Sequence, residues 1–200
     1  MPVIGITGGI ATGKSTLVEA LLKLAPAEAF DADRCVRGLL EGDPGVRAAV
    51  IAAFGEAVLD ASGMLHRARL REQVFHDDAS RARLEAILHP LVRHAWSVQA
   101  GQCRAANVFL YADVPLLFET GGGQDCDRVI VVACSPETQR ARMRLHRGLA
   151  PELIERMIGA QLDLATKVAR ADHVVWNDST TEIVEEQARL LNAWLRQHYG

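Results

Sequence analysis

An α/β fold built on a parallel sheet is what this sequence predicts, on three observations. A glycine-rich segment, Gly8-Gly9-Ile10-Ala11-Thr12-Gly13-Lys14-Ser15, stands between a short β-branched run, Val3 to Ile6, and a helical pattern carrying Leu17, Leu21 and Leu24. Two nearly continuous apolar runs, Val108 to Ala112 and Val129 to Cys134, read as strands buried on both faces, the habit of parallel sheets. Helical patterns fill most of the remaining chain. Two hundred residues suffice for one such domain with appended helices and are too few for two comfortable ones, so a single domain over 1–200 is expected.

The first segment fits G-x-x-x-x-G-K-[ST], the P-loop pattern, in strand-loop-helix context. A glycine-rich turn can join any strand to any helix, but the full pattern in this setting favours a phosphate cradle. Successive N–H groups from Gly9 through Ile10, Ala11, Thr12 and Gly13 would turn inward around an anion, at the positive end of a helix opening with Lys14, Ser15 and Thr16. Lys14 would reach the β/γ-phosphates of a nucleotide, and the Ser15 hydroxyl would ligate Mg²⁺.

The balance of charge excludes several classes of partner. With 22 basic and 25 acidic residues the net charge is −3, which gives no general pull toward nucleic acid or a membrane surface. Local clusters must therefore hold any anionic ligand. No apolar run approaches the roughly 20 residues that span a bilayer, and no basic segment followed by an apolar core opens the sequence, so a cytoplasmic protein is expected. Cys35, Cys103, Cys126 and Cys134 show neither C-x-x-C pairing nor a histidine at zinc spacing, and read as reduced, mostly structural thiols.

Taken in order, Pro26 ends the first helix, and Ala29-Phe30 leads as a short strand into Asp31-Ala32-Asp33. Functional groups of open α/β sheets gather beyond the carboxyl ends of strands, whereas Asp31 or Asp33 could equally cap the helix through Arg34, Arg37 and Leu40. Helices are expected over Val46–Phe54, Arg67–His76 and Ser80–Gln99, with breaks at Gly55, Gly63 and Asp77-Asp78. Pro90 should kink the third of these, which either points His89 into a cleft or merely adjusts packing. Asp113 closes the apolar run Val108–Ala112 and is a Walker-B-like candidate for organising Mg²⁺ through water.

The apolar segment Val114 to Phe118, with Glu119, follows at the rim of the sheet and either packs against a helix or walls a cleft. Gly121-Gly122-Gly123 reads as a flexible loop. Ser135-Pro136-Glu137 supplies a helix cap, a proline at the first helical position and an acid in the first turn. The helix it opens carries Arg140, Arg142, Arg144, His146 and Arg147, either a solvated face or a lid whose cations cover a transferring phosphoryl group. A last strand over 173–176 and an amphipathic helix with Ile183, Leu191 and Leu195 complete the pattern.

Together these residues resemble the dephospho-CoA kinase family of P-loop kinases. The matching segments are Ile6 to Ser15, Asp31-Ala32-Asp33 with Arg37, Arg67 with Leu70-Arg71 and Phe75, and Leu88-His89-Pro90-Leu91. They continue through Val114-Pro115-Leu116-Leu117-Phe118-Glu119, Ser135 to Gln139 with Arg142, and Gln161, Lys167, Ala171-Asp172 and Asn177. The resemblance implies a P-loop NTPase fold with a five-stranded parallel sheet flanked by helices. It adds a helical lid at about 140–165 and a helical acceptor-binding insertion at about 44–101, on a nucleotide core of about 1–40 and 105–200.

The activity so implied is transfer of the ATP γ-phosphoryl group to the ribose 3′-hydroxyl of dephospho-CoA, giving CoA and ADP. By the same resemblance Asp33 takes the acceptor proton, Arg142 covers the phosphates, and Asn177 with its neighbours lies near the adenine. Asp33, Arg37, His89, Pro115, Leu116, Leu117 and Glu119 line the acceptor site. The expected enzyme is a monomer or weak homo-oligomer. Ala11 and Thr12 stand where the family often has glycine and serine, and should be tolerated; His146 stands where a lid arginine is expected, with Arg147 one residue later. Another small-molecule kinase of this architecture is the nearest competitor. A GTP switch is disfavoured because Asn107, Asn177 and Asn192 are not followed by lysine, as guanine readers require, and Asp60-Ala61-Ser62-Gly63 has no apolar strand before it.

Overall fold

Apolar runs form five strands of one sheet: β1 (Val3–Gly8), β2 (Ala27–Asp31), β3 (Phe109–Asp113), β4 (Arg128–Ala133) and β5 (His173–Trp176), in the order β2-β3-β1-β4-β5. Every pairing in it is parallel. The computed structural model of the chain describes residues 1–75 and 77–199, the side chains of Phe75 and His146 excepted. His76, the expected end of one helix, lies outside the described residues, as does the side chain of His146. In chain order the helices are α1 (Lys14–Leu22), α2 (Ala32–Gly42), α3 (Pro44–Phe54), α4 (Arg67–Phe75), α5 (Asp78–Ala106), α6 (Pro136–Arg147), α7 (Pro151–Gly159), α8 (Leu164–Ala169) and α9 (Thr181–Tyr199).

The chain divides into two compact units, Met1–Asp31 with Gln99–Gly200, and Ala32–Val98. The first holds the sheet. Strand β1 is buried along its whole length, as a central parallel strand must be. Its core joins Ile4, Ile6, Tyr111, Ile130 and Val132 of the strands to Leu17 and Leu21 of α1 and to Ala188, Leu191 and Leu195 of α9. The second unit is helical. Val46 and Val50 of α3, Val58, Leu70 of α4 and Leu88 of α5 form its small core, with Val36 and Leu39 of α2 packed against it.

Local chemistry explains where several elements start. Ser135 accepts a hydrogen bond from the Thr138 N–H at 3.2 Å and so caps α6, as the sequence predicts. Asp43 caps α3 by accepting from the Gly45 and Val46 N–H groups, which starts that helix at Pro44 instead of the expected Val46. Asp77 accepts from Ala79 and Ser80 N–H groups, and α5 begins two residues earlier than expected.

Helix α5 also continues past the expected Gln99 to Ala106. Pro90 and Gly101 lie inside it, because Ala100 and Cys103 are buried and packing outweighs the weak propensity at Gly101. Asn107, with φ 56°, ends it in the left-handed region that asparagine tolerates. The reading of one short motif changes. Gly121 to Gly123, expected as a flexible loop, enter a 3₁₀ turn over Gly122–Asp125 that is held by the Gly122 N–H donating to the Leu117 carbonyl at 2.8 Å. Asp60 to Gly63 form a tight turn in which the Asp60 carboxylate accepts from the Ser62 and Met64 N–H groups.

The thiols agree with a structural role. All four cysteines are free, and burial pushes Cys126 up to about 12 and Cys103 up to about 11.

Candidate active site

The phosphate loop is shaped by its backbone. At Gly8, φ is 154° and a Cβ would stand 2.2 Å from the Val132 carbonyl oxygen; at Gly13, φ is 94° and a Cβ would stand 2.1 Å from Asn177 Nδ2. Only glycine fits either place. Ala11 lies between them at φ 59°, so its methyl group is tolerated with strain, of the order of 1–2 kcal/mol for a non-glycine residue in this region. Helix α1 begins immediately after Gly13 with neither a side-chain cap nor an acid in its first turn. Its first N–H groups and its positive dipole end are therefore directed at the loop's interior, where an anion satisfies them.

Long-range polar contacts hold this loop in place. The Ile10 N–H donates to Gln161 Oε1 at 3.0 Å, and Gln139 Nε2 donates to the Ile10 carbonyl at 2.8 Å, so two glutamines grip one residue. Buried Asn177 donates from Nδ2 to the Thr12 carbonyl at 2.8 Å, and its Oδ1 accepts from Arg142 Nη2 at 3.2 Å. Arg142 Nη1 also reaches the Thr12 carbonyl at 3.4 Å. The Thr12 hydroxyl and the Lys14 ammonium each donate to the Gly9 carbonyl at 3.0 Å. Arg142 is thus oriented over the loop by the side chain that supports it. Asn177 thus engages both the loop backbone and Arg142.

The lid arginines separate into different tasks. Arg140 makes a two-pronged ion pair with Glu155, Nε to Oε1 at 2.6 Å and Nη2 to Oε2 at 3.0 Å, joining α6 to α7. That pairing holds the Glu155 carboxyl below its usual range. Arg140 is therefore engaged with protein, whereas Arg142 is held at the loop.

Asp113 ends β3 opposite Ile6 of β1 and Asp31 of β2. Neighbouring strands thus bring two carboxylates side by side at the carboxyl edge of the sheet. The segment after β3 folds inward. The Thr7 hydroxyl donates to the Pro115 carbonyl at 3.1 Å, and Lys167 Nζ donates to the same carbonyl at 3.1 Å. Glu119 Oε1 lies 2.8 Å from Lys167 Nζ and accepts from the Leu162 N–H at 2.9 Å. Leu117 is fully buried, so its side chain belongs to the core and does not face a ligand; Pro115 and Leu116 remain partly exposed.

The remaining predicted residues stand in the second unit. Helix α2 starts at Ala32, so Asp33 lies inside its first turn and is not the residue that caps it from outside. Asp33 and Arg37 are both exposed and one turn apart, hence on one face of α2. His89 is half-buried on α5. The first unit accordingly gathers the phosphate loop, Arg142, Asn177 and Asp113, and the second carries Asp33, Arg37 and His89. Sequence reading missed the supporting roles of Gln139, Gln161 and Lys167, whose partners lie far away along the chain.

Residues 2–182 match the family model of dephospho-CoA kinase. A dephospho-CoA kinase of Anaeromyxobacter dehalogenans is 40% identical over 201 residues, covering 100% of this chain and 95% of that protein. One from Bordetella avium is 39% identical, covering 94% of this chain and 89% of that protein. Among solved structures, a Thermus thermophilus protein superposes with a TM-score of 0.81 at 32% identity, covering 99% of this chain and 98% of that one. A shikimate kinase from Acinetobacter baumannii, at 14% identity and a TM-score of 0.56, shares the fold. With the P-loop, the five-stranded parallel sheet and these likenesses extending over nearly the whole length, the chain belongs to the dephospho-CoA kinase family, ATP-dependent phosphotransferases that act on a hydroxyl group.

Proposed function

We propose that the chain transfers the γ-phosphoryl group of ATP to the ribose 3′-hydroxyl of dephospho-CoA, with Asp33 as the base and the phosphate loop as the donor site. The observation that carries the reading is the built phosphate cradle, in which α1 opens uncapped behind Gly13 and Arg142 is held over the loop by Asn177. Lys14 neutralises the β/γ-phosphates, and Arg142 stabilises the charge that spreads over the transferring group. Asp33 follows β2 by two residues, and its exposed carboxylate orients the acceptor hydroxyl and removes its proton as the new bond to phosphorus forms. The leaving oxygen remains on ADP. Arg37, on the same face of α2, suits the acceptor's own phosphates, and we assign acceptor contacts to His89 within the helical unit and to Pro115 and Leu116 within the sheet unit.

Mg²⁺ fits the oxygen donors present. Ser15 stands in the first turn of α1, and Asp113 and Asp31 end adjacent strands, while the described residues contain no cluster of three or more His, Cys, Asp or Glu that would hold a metal unaided. That donor set suits an ion that keeps several waters and shares its coordination with phosphate oxygens. Bound there, Mg²⁺ would neutralise phosphate charge. None of the described helices is long and apolar enough to cross a membrane, and we assign the enzyme to the cytoplasm as a monomer or weak homo-oligomer.

The deciding experiment is coupled ADP release with a panel of acceptors. Turnover is expected with dephospho-CoA and ATP-Mg²⁺. Turnover with a nucleoside monophosphate, and none with dephospho-CoA, would overturn the assignment.

A further inference from the structure

Lys167, on α8, has a side chain with no exposure to solvent. An ammonium carries three N–H donors, and this one meets three acceptors: the Gly8 carbonyl at 3.3 Å, the Pro115 carbonyl at 3.1 Å and Glu119 Oε1 at 2.8 Å. Two of those acceptors are themselves shared. The Pro115 carbonyl also receives the Thr7 hydroxyl, and Glu119 Oε1 also receives the Leu162 N–H. The ammonium therefore joins the first residue of the phosphate loop to the segment after β3, and Glu119 extends the junction to the connection between α7 and α8.

Stability alone is a poor reason for a charge in this place, because a buried ion pair seldom outperforms apolar residues of the same volume. A direct part in phosphate binding is also disfavoured, since all three donors are already matched to protein oxygens. What the arrangement does supply is register. Moving Pro115 relative to Gly8 would break two hydrogen bonds to one carbonyl and strand the ammonium in the interior.

We propose that Lys167 is a positioning residue for phosphoryl transfer. Through Glu119 and the Gly8 and Pro115 carbonyls it locks the donor loop to the segment 115–119, and it sets kcat without touching either substrate. This inference rests on the reading of Pro115 and its neighbours as acceptor contacts. A misplacement of about 1 Å between reacting groups can lower turnover on the order of a hundredfold, which is the lever such a lock controls.

The test uses the full chain with four variants: Lys167→Met, Glu119→Gln, the two combined, and Thr7→Val. Each is assayed for melting temperature, for affinity toward a fluorescent ATP analogue, and for kcat and KM with ATP and dephospho-CoA. Glu119→Gln keeps an oxygen for Leu162 and Lys167 and should lower kcat only about threefold. Lys167→Met removes the buried ammonium and all three of its hydrogen bonds while Glu119 stays accessible to water, so kcat drops at least about thirtyfold. Combining the two leaves no charge at the junction: kcat should stay at least about tenfold down, whatever the melting temperature, and both KM values stay within about threefold. Thr7→Val removes one bond to Pro115 and should lower kcat about three- to tenfold at unchanged melting temperature.

A combined variant that regains kcat would overturn the proposal and make Lys167 a residue of the fold alone. Should the Lys167 variants fail to fold, a Thr7→Val protein with wild-type kcat overturns it, and one with the expected loss supports it. Failure of the functional reading shows separately, in a wild-type protein that uses some other acceptor; the same kcat comparison is then made on that acceptor.

Discussion

The two units of the molecule solve different problems with different materials. In the sheet unit, core residues come from strands and helices at both ends of the sequence, and the phosphate loop is fastened by buried or half-buried side chains: Asn177, Gln139, Arg142 and Lys167. In the helical unit, the core is made by successive elements over 36–88, and its charged groups lie at the surface in pairs such as Arg67–Glu41 and Arg81–Asp78. Exposed pairs of that kind contribute little, roughly 0–1 kcal/mol each. The contrast teaches that the donor is held by a prepaid scaffold, whereas the residues proposed to act on the acceptor, Asp33 and Arg37, ride on the exposed face of one helix.

The sharpest way to break this contrast is to substitute in one unit and read the other substrate. Asp33→Asn should lower kcat by about 10²–10⁴ while ATP affinity stays near wild type, since the acid acts on the acceptor. A variant retaining more than a small fraction of turnover in a steady-state assay removes Asp33 as the base. Lys14→Ala should lower kcat/KM for ATP by about 10²–10³ whatever acceptor is supplied. Equal ATP kinetics for variant and wild type would dissolve the donor assignment itself. Gly13→Ala forces a methyl group onto Asn177 at a positive φ, and should destabilise the sheet unit by at least about 1–2 kcal/mol and weaken nucleotide binding; thermal melting with and without ATP measures both.

Two smaller effects sharpen the description of the scaffold. The Tyr111 hydroxyl is buried without a hydrogen-bond partner among the described residues, and burial pushes the phenol up to about 12. Tyr111→Phe removes the unsatisfied group and should be stabilising by about 1 kcal/mol, read as a rise in Tm of a few degrees. Asp178 accepts from the Ser135 N–H at 2.7 Å and from Trp176 Nε1 at 2.9 Å, and the first of these chiefly holds its carboxyl low. A depressed folded value means a stabilising contribution present above the unfolded carboxylate range of about 3.9 and lost as pH falls through the lower folded value. Asp178→Asn should flatten that acid limb slightly in melting curves taken from pH 5 to pH 2.

How much of this was legible in the sequence depended on how local each signal is. The P-loop, the strands and the Ser135 cap are written in adjacent residues, and the structure reproduces them within a residue or two. Gln161 and Ile10, or Asn177 and Thr12, meet only because the sheet brings opposite ends of the chain together, and no spacing rule announces such pairs. The pairing of Asp31 with Asp113 needed the strand order and register. Ala11 was read as harmless because it keeps its N–H; its positive φ, visible only in the folded backbone, shows that the methyl group is borne under strain. The helix expected to end at Gln99 runs on through Gly101 because Ala100 and Cys103 beside it are buried.

Strand order also has a consequence for how the chain is made. Strands β1 and β2 are close in sequence yet never touch, because β3, which begins only at Phe109, lies between them. A polypeptide leaving the ribosome amino end first exposes all of Ala32–Val98 before the strand that unites the sheet has been synthesised. The helical unit, rich in contacts between near neighbours, can therefore organise early, while the phosphate loop waits for partners that emerge last, at Gln161, Lys167 and Asn177. Competence to hold a nucleotide is then expected late in synthesis, and a nascent chain stalled short of β5 has Lys14 but not the asparagine that braces the loop beside it.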